Sequence, residues 1–214
     1  MTDYDSNKVR EIHEHLHSHL PSESALRVKA LETLLVDKGL VTTETIDAWI
    51  EIYSEDIGPK RGASIVAKAW TDPTFKAKLM DDAPAAIEEL GFLGDATAHL
   101  KVVENTDTVH NLVVCTLCSC YPFSILGVAP PWYKVEAYRS RAVRDPRGVL
   151  EEFGEVLDSD IEIKVWDSTA ELRYLVLPQR PKGTDDKTEA ELASLVSRNS
   201  MIGTQRQLPN EAQS

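Results

Sequence analysis

The chain has 214 residues, 42% of them apolar, and a formal net charge of −12. That is enough to build one globular domain with a helical extension, and an acidic chain without a Lys/Arg block lacks the basic footprint that nucleic-acid phosphates require. The N-terminus shows no cationic region followed by an apolar run, and no stretch approaches the roughly 18 apolar residues needed to span a bilayer, so a cytoplasmic protein without membrane contact is expected.

Residues 1–24 read as a flexible tail in which His13, His15, His17 and His19 alternate and Ser22 is placed to cap a helix. Leu26, Ala30, Leu31, Leu34 and Leu35 then recur at helical spacing up to a C-cap at Gly39. Thr42–Thr45 opens a second helix carrying Ile46, Trp49, Ile50 and Tyr53 until Gly58-Pro59 ends it. A third is predicted over Lys60–Trp70, a fourth from Asp72-Pro73 to Met80, and a short fifth over Ala83–Leu90, closed by Gly91. Residues 25–80 are therefore read as a helical arm.

Composition shifts after residue 90. Leu100–Val103, Leu112–Val114, Ile161–Trp166 and Leu172–Leu177 are short runs rich in β-branched and apolar residues, hence strands. Pro131–Val143, Pro146–Phe153 and Thr188–Arg198 carry helical patterns, and the chain beyond Gly203 reads as a loose tail. The predicted fold class is α+β, with the helical arm followed by a layered α/β body over 81–204 and a tail over 205–214.

All three cysteines fall within Cys115-Thr116-Leu117-Cys118-Ser119-Cys120. An odd, tightly clustered set does not make a disulfide framework, so metal binding or redox chemistry is the better reading. Asn111–Val114 delivers the chain as a strand and Pro122 blocks continuation, which leaves the cysteines in a loop. Cysteines at i, i+3 and i+5 can turn three sulfurs toward one point, with the amides of Ser119 and Cys120 as further donors. Thiolates suit zinc, copper(I) or iron, whereas a metal that also takes deprotonated amides would be cobalt(III) or low-spin iron(III). The residues alone leave these open, and a structural zinc module of Cys115, Cys118, Cys120 and His110 is the rival from another class.

The stretch Val114–Cys120, VCTLCSC, closely resembles the metal-binding motif of nitrile hydratase alpha subunits. Trp70-Thr71-Asp72-Pro73, Val103-Glu104-Asn105-Thr106, Pro131-Trp132-Tyr133-Lys134, Tyr138-Arg139-Ser140-Arg141 and Val176–Pro181 look like further blocks of that family, so the resemblance runs from about Ala25 to Gly203. It implies metal ligation by the sulfurs of Cys115, Cys118 and Cys120 and the main-chain nitrogens of Ser119 and Cys120. It also implies a sulfinate at Cys118 and a sulfenate at Cys120, both steps on the thiol oxidation ladder. Cys118, Ser119 and Cys120 would then be the catalytic group.

Thr116 resembles the cobalt branch, which implies non-corrin Co(III), with Fe(III) as the alternative. The resemblance further implies an obligate beta subunit in an αβ or α2β2 assembly, a metallochaperone or activator for cobalt insertion, and a small nitrile substrate. Arg139, Arg141 and Arg144 could serve the interface or the cysteine oxygens, or could form surface ion pairs. The chain departs from the family at Phe123-Ser124, where Trp-Pro is usual, and at Ala96, where an ungapped alignment expects glutamine. These departures leave room for a second enzymatic reading behind the nitrile one, the gamma subunit of thiocyanate hydrolase, which adds water to the nitrile carbon of an anion to give carbonyl sulfide and ammonia. No Gly-x-Ser-x-Gly elbow and no phosphate-binding glycine loop occurs.

Overall fold

The computed structural model describes residues 22–51, 59–92, 99–118 and 120–206. The chain divides into two compact units, Met1–Ile50 and Glu51–Ser214. In the first, α1 (Glu23–Asp37) starts where the Ser22 hydroxyl accepts the amide of Ala25, as expected of a cap, and α2 (Thr43–Glu51) follows. Neither helix buries a residue, and Leu26, Leu31, Leu34, Leu35, Trp49 and Ile50 stay exposed. Tyr53, Gly58 and the histidine tail lie outside the described residues.

The second unit opens with α3 (Pro59–Thr71), α4 (Pro73–Asp81) and α5 (Ala83–Glu88). Asp72 and Asp82 cap the latter two, each accepting from the first-turn amides that have no partner within the helix. Ile65, Val66, Leu79 and Ile87 are fully buried. They pack in the same core as strands β1 (Leu100–Glu104), β2 (Val109–Val114), β3 (Glu162–Asp167) and β4 (Arg173–Leu177).

The strands form two parallel pairs. β1 runs beside β4 with Leu100 opposite Arg173, and β2 runs beside β3 with Val109 opposite Glu162 and Val114 opposite Asp167. Parallel partners need long crossovers, and the β2–β3 crossover supplies α6 (Phe123–Leu126), a 3-10 turn at Pro131–Lys134, α7 (Glu136–Arg144) and α8 (Pro146–Glu152). After β4 come α9 (Glu189–Leu195) and α10 (Arg198–Ile202). The α+β class expected from the sequence is the one observed.

Two predicted helices are each broken in two. Pro131–Val143 divides at Val135, whose backbone is extended (φ −72°, ψ 134°), so the 3-10 turn and α7 leave at different angles. Thr188–Arg198 ends at Val196, also extended, and Ser197 caps a new helix by accepting the amide of Ser200. In both cases an apolar residue at helical spacing takes a β conformation because the chain must turn, which periodicity does not register.

A buried polar knot ties α10 to the base of β2. His110 Nε2 lies 2.6 Å from the carbonyl oxygen of Gly203, so that nitrogen carries the proton and donates. Nδ1 faces two donors, Asn105 Nδ2 and Arg206 Nη1, each at 3.5 Å, so it must stay unprotonated. Gly203 itself has φ +92°, and a Cβ there would stand 1.9 Å from the Asn111 carbonyl oxygen, so only glycine fits this close approach.

Burial, reinforced by the Arg206 charge, lowers the His110 pKa from 6.5 to about 4. Above pH 6.5 the ring is neutral folded or unfolded, whereas between 6.5 and 4 the unfolded chain alone takes up the proton, so stability falls as pH falls. The shift corresponds to about 3 kcal/mol lost across that window. Denaturant melts from pH 7 to 4 are expected to show this slope, and His110→Gln is expected to flatten part of it.

Candidate metal centre

Strand β2 ends at Val114, and Cys115 follows it into the core with 1% of its surface exposed. The chain then turns back on itself, for the amide of Cys118 donates to Cys115 Sγ at 3.3 Å. The two sulfurs lie 3.4 Å apart, Cys118 and Cys120 Sγ lie 3.0 Å apart, and all three are within 4.8 Å of one another. None is in a disulfide. Among the described residues this is the one cluster of three or more His, Cys, Asp or Glu side chains at metal-binding spacing.

The spacing tests which metal geometry the sulfurs fit. Zinc–sulfur bonds of about 2.3 Å put tetrahedral sulfurs about 3.8 Å apart, while adjacent corners of an octahedron at similar bond length are about 3.3 Å apart. Two of the three pairs, at 3.4 and 3.0 Å, stand closer than tetrahedral zinc sulfurs would, and the third lies within 4.8 Å. His110, the fourth ligand a zinc module would need, is turned away into the α10 knot. Burial, then the neighbouring Cys118 and Cys115 sulfurs, pushes the Cys120 thiol up to about 12. The Cys120 sulfur therefore resists ionising without a cation beside it. Ser119 lies outside the described residues.

Residues distant in sequence hold the loop backbone. Asp167, at the end of β3 and opposite Val114, accepts the amide of Thr116 at 2.9 Å and its hydroxyl at 2.5 Å. Arg139, from α7, donates to the carbonyl oxygens of Cys115 and Thr116. Tyr133, fully buried in the 3-10 turn, donates to the carbonyl of Cys120 at 3.0 Å, and Tyr138 donates to that of Val113 at 2.7 Å. Aromatic edges brace both tyrosines, with Tyr133 against Tyr121 and Trp132 against Tyr138.

Three-cysteine clusters recur across protein chemistry, but the comparisons are specific. The model of the nitrile hydratase alpha chain family matches residues 22–205. The chain belongs to that family. It is 59% identical over 181 residues to the low-molecular weight cobalt-containing nitrile hydratase subunit alpha of Rhodococcus rhodochrous, covering 85% of this chain and 87% of the relative. The thiocyanate hydrolase subunit gamma of Thiobacillus thioparus is 42% identical over 185 residues, 81% of this chain and 76% of that one. Among solved structures, a double mutant of the Fe-type nitrile hydratase from Comamonas testosteroni Ni1 superposes with a TM-score of 0.80 at 47% identity, covering 87% of this chain and 92% of the other.

As a nitrile hydratase alpha chain, the protein places the residues singled out from sequence unevenly. Cys115, Cys118 and Cys120 are brought together. Of the three arginines, Arg139 reaches the loop, Arg141 pairs with Glu152 and Asp145, and exposed Arg144 lines an open cavity of about 560 Å³ with Thr116, Glu136, Arg139, Ser140 and Val143. Phe123 and Ser124 begin α6, and Ala96 lies outside the described residues. Sequence reasoning missed Asp167 and Tyr133 as loop anchors. The signal for Asp167 was an acidic residue ending a strand, interpretable only once β3 is known to pair with β2. Asp167→Ala is expected to lower metal retention by roughly 10- to 100-fold, the usual cost of losing a group that orients a ligand loop, measured by competition with a chelator.

Proposed function

We propose that the chain is the alpha subunit of a nitrile hydratase that converts nitriles to amides at a non-corrin cobalt(III) centre. The observation that carries this reading is the cluster of three sulfurs in one loop, two of its pairs at 3.4 and 3.0 Å, in a chain of this family. Cobalt rather than iron is supported by Thr116 and by the 59%-identical relative, which is named as cobalt-containing. The sulfurs of Cys115, Cys118 and Cys120 and the main-chain nitrogens of Ser119 and Cys120 would hold the metal. When bound, it supplies a Lewis acid that polarises the nitrile carbon.

The net reaction adds water across C≡N, with oxygen to carbon and both hydrogens ultimately to the amide nitrogen. In this reading Cys118 carries a sulfinate and Cys120 a sulfenate, and the Cys120 oxygen either attacks the nitrile carbon or orients the water that does. Tyr133 and Arg139 act by keeping the loop carbonyls turned to their own donors, so that the reacting side chains are presented within near-attack distance.

The same reading includes an obligate beta subunit, as an αβ or α2β2 assembly, together with a metallochaperone that delivers cobalt. The exposed leucines of α1 and Trp49 and Ile50 of α2 suit burial against that subunit. A cytoplasmic setting belongs to the same reading. No described helix is long and apolar enough to cross a membrane.

The test is a side-by-side assay of the cobalt-supplied, co-expressed complex on a simple nitrile and on thiocyanate. Amide as the sole product is expected, with Cys118→Ala and Cys120→Ala inactive; carbonyl sulfide would move the chain to the thiocyanate hydrolase side of its family. The peptide spanning Cys115–Cys120 is expected to carry about three added oxygens.

A further inference from the structure

Arg139 donates through Nε to the carbonyl oxygen of Cys115 at 3.1 Å and through Nη2 to that of Thr116 at 2.5 Å. The first of these carbonyls belongs to the peptide group that joins Cys115 to Thr116, and the N–H of that same group donates to Asp167 Oδ1 at 2.9 Å. In a trans peptide the C=O and N–H point in opposite directions. One peptide plane is therefore gripped on both edges, by a cation at its oxygen and an anion at its N–H, which is the orientation that the peptide dipole favours.

We infer that Arg139 is a positioning residue which, against Asp167, sets the plane of the Cys115–Thr116 peptide and so shapes the metal-binding loop before any metal enters. The plane fixes ψ of Cys115 and φ of Thr116, the two angles that decide where the chain carrying Cys118 and Cys120 goes next. A guanidinium suits this because two rigidly spaced N–H groups reach two successive carbonyls, which a lysine ammonium, as a single point, does not reproduce. The side chain is half-buried, and no carboxylate pairs with it among the described residues, so its charge is directed at the loop. Arg141, two residues on, is occupied by Glu152 and Asp145 and provides a control on the same helix.

The consequence for the metal rests on the proposed function, but the shaping of the loop does not, and the test separates them. Hydrogen exchange of the segment 115–122 is compared in the metal-free complex for wild type, Arg139→Gln, Arg139→Lys and Arg141→Gln. Arg139→Gln is expected to exchange at least about tenfold faster in this segment alone, Arg139→Lys to recover only part of the protection, and Arg141→Gln to match wild type. In the cobalt-supplied complex, Arg139→Gln is then expected to lose metal to a chelator about tenfold more readily per folded chain, with kcat falling more than KM changes.

Wild-type exchange in Arg139→Gln would overturn the inference, as would faster exchange spread evenly over the body or shared by Arg141→Gln. Should Arg139→Gln fail to fold, Arg139→Lys decides by the same comparison, and wild-type protection in it would equally overturn the two-point grip. A wild-type complex that takes up no cobalt would sink the metal reading while leaving the exchange comparison to decide the role of Arg139.

Discussion

Gathering three ionisable sulfurs within one loop is an electrostatic problem before it is a chemical one. The Cys115, Cys118 and Cys120 sulfurs lie 3.4 and 3.0 Å apart in sequence order, and burial, then the neighbouring Cys118 and Cys115 sulfurs, makes Cys120 harder to ionise. A cation at their centre reverses the sign of that problem. Until one arrives, the loop must be held by its backbone. Asp167, Arg139 and Tyr133 do so from a strand, a helix and a 3-10 turn that the chain visits after leaving the loop.

That arrangement explains why the parallel β2–β3 pair matters to function. Its crossover delivers Tyr133, Tyr138 and Arg139 on the way out, and β3 returns with Asp167 opposite the last residue before Cys115. The remainder of the body braces this unit from below: α10 is locked to β2 through His110 and Gly203, and Trp70 of α3 donates to the carbonyl of Pro178 just past β4. The loop is thus the exposed end of a tightly tied core, with Leu117 at its tip 85% exposed while Cys115 at its root is buried.

Much of this was legible in the sequence because it is local. The Asp72-Pro73 helix entry, the Ser22 cap and the run of cysteines between a strand and Pro122 announce themselves within a few residues. The four strands were also recognisable from composition, though β2 begins at Val109, three residues before its apolar run, since His110 and Asn111 are buried in hydrogen bonds rather than by hydrophobicity. What the sequence hid is non-local: which strands pair, which arginine of three turns inward, and that Asp167 meets Thr116 across 51 positions. Short helices such as α6 and α10 were hidden too, because four or five residues are too few to establish a period.

The departures from the family pattern at Phe123 and Ser124 sit at the start of α6, immediately after the loop, where the Ser124 hydroxyl is buried without a hydrogen-bond partner among the described residues. Proline at that position would present no such hydroxyl. They leave the sulfur cluster and its anchors intact, so the function turns on coordination by the three sulfurs. X-ray absorption at the metal edge of the co-expressed, cobalt-supplied complex tests that claim most directly. Six-coordinate cobalt with mixed sulfur and nitrogen or oxygen neighbours is the predicted result; a four-coordinate zinc site with reduced sulfurs would contradict it.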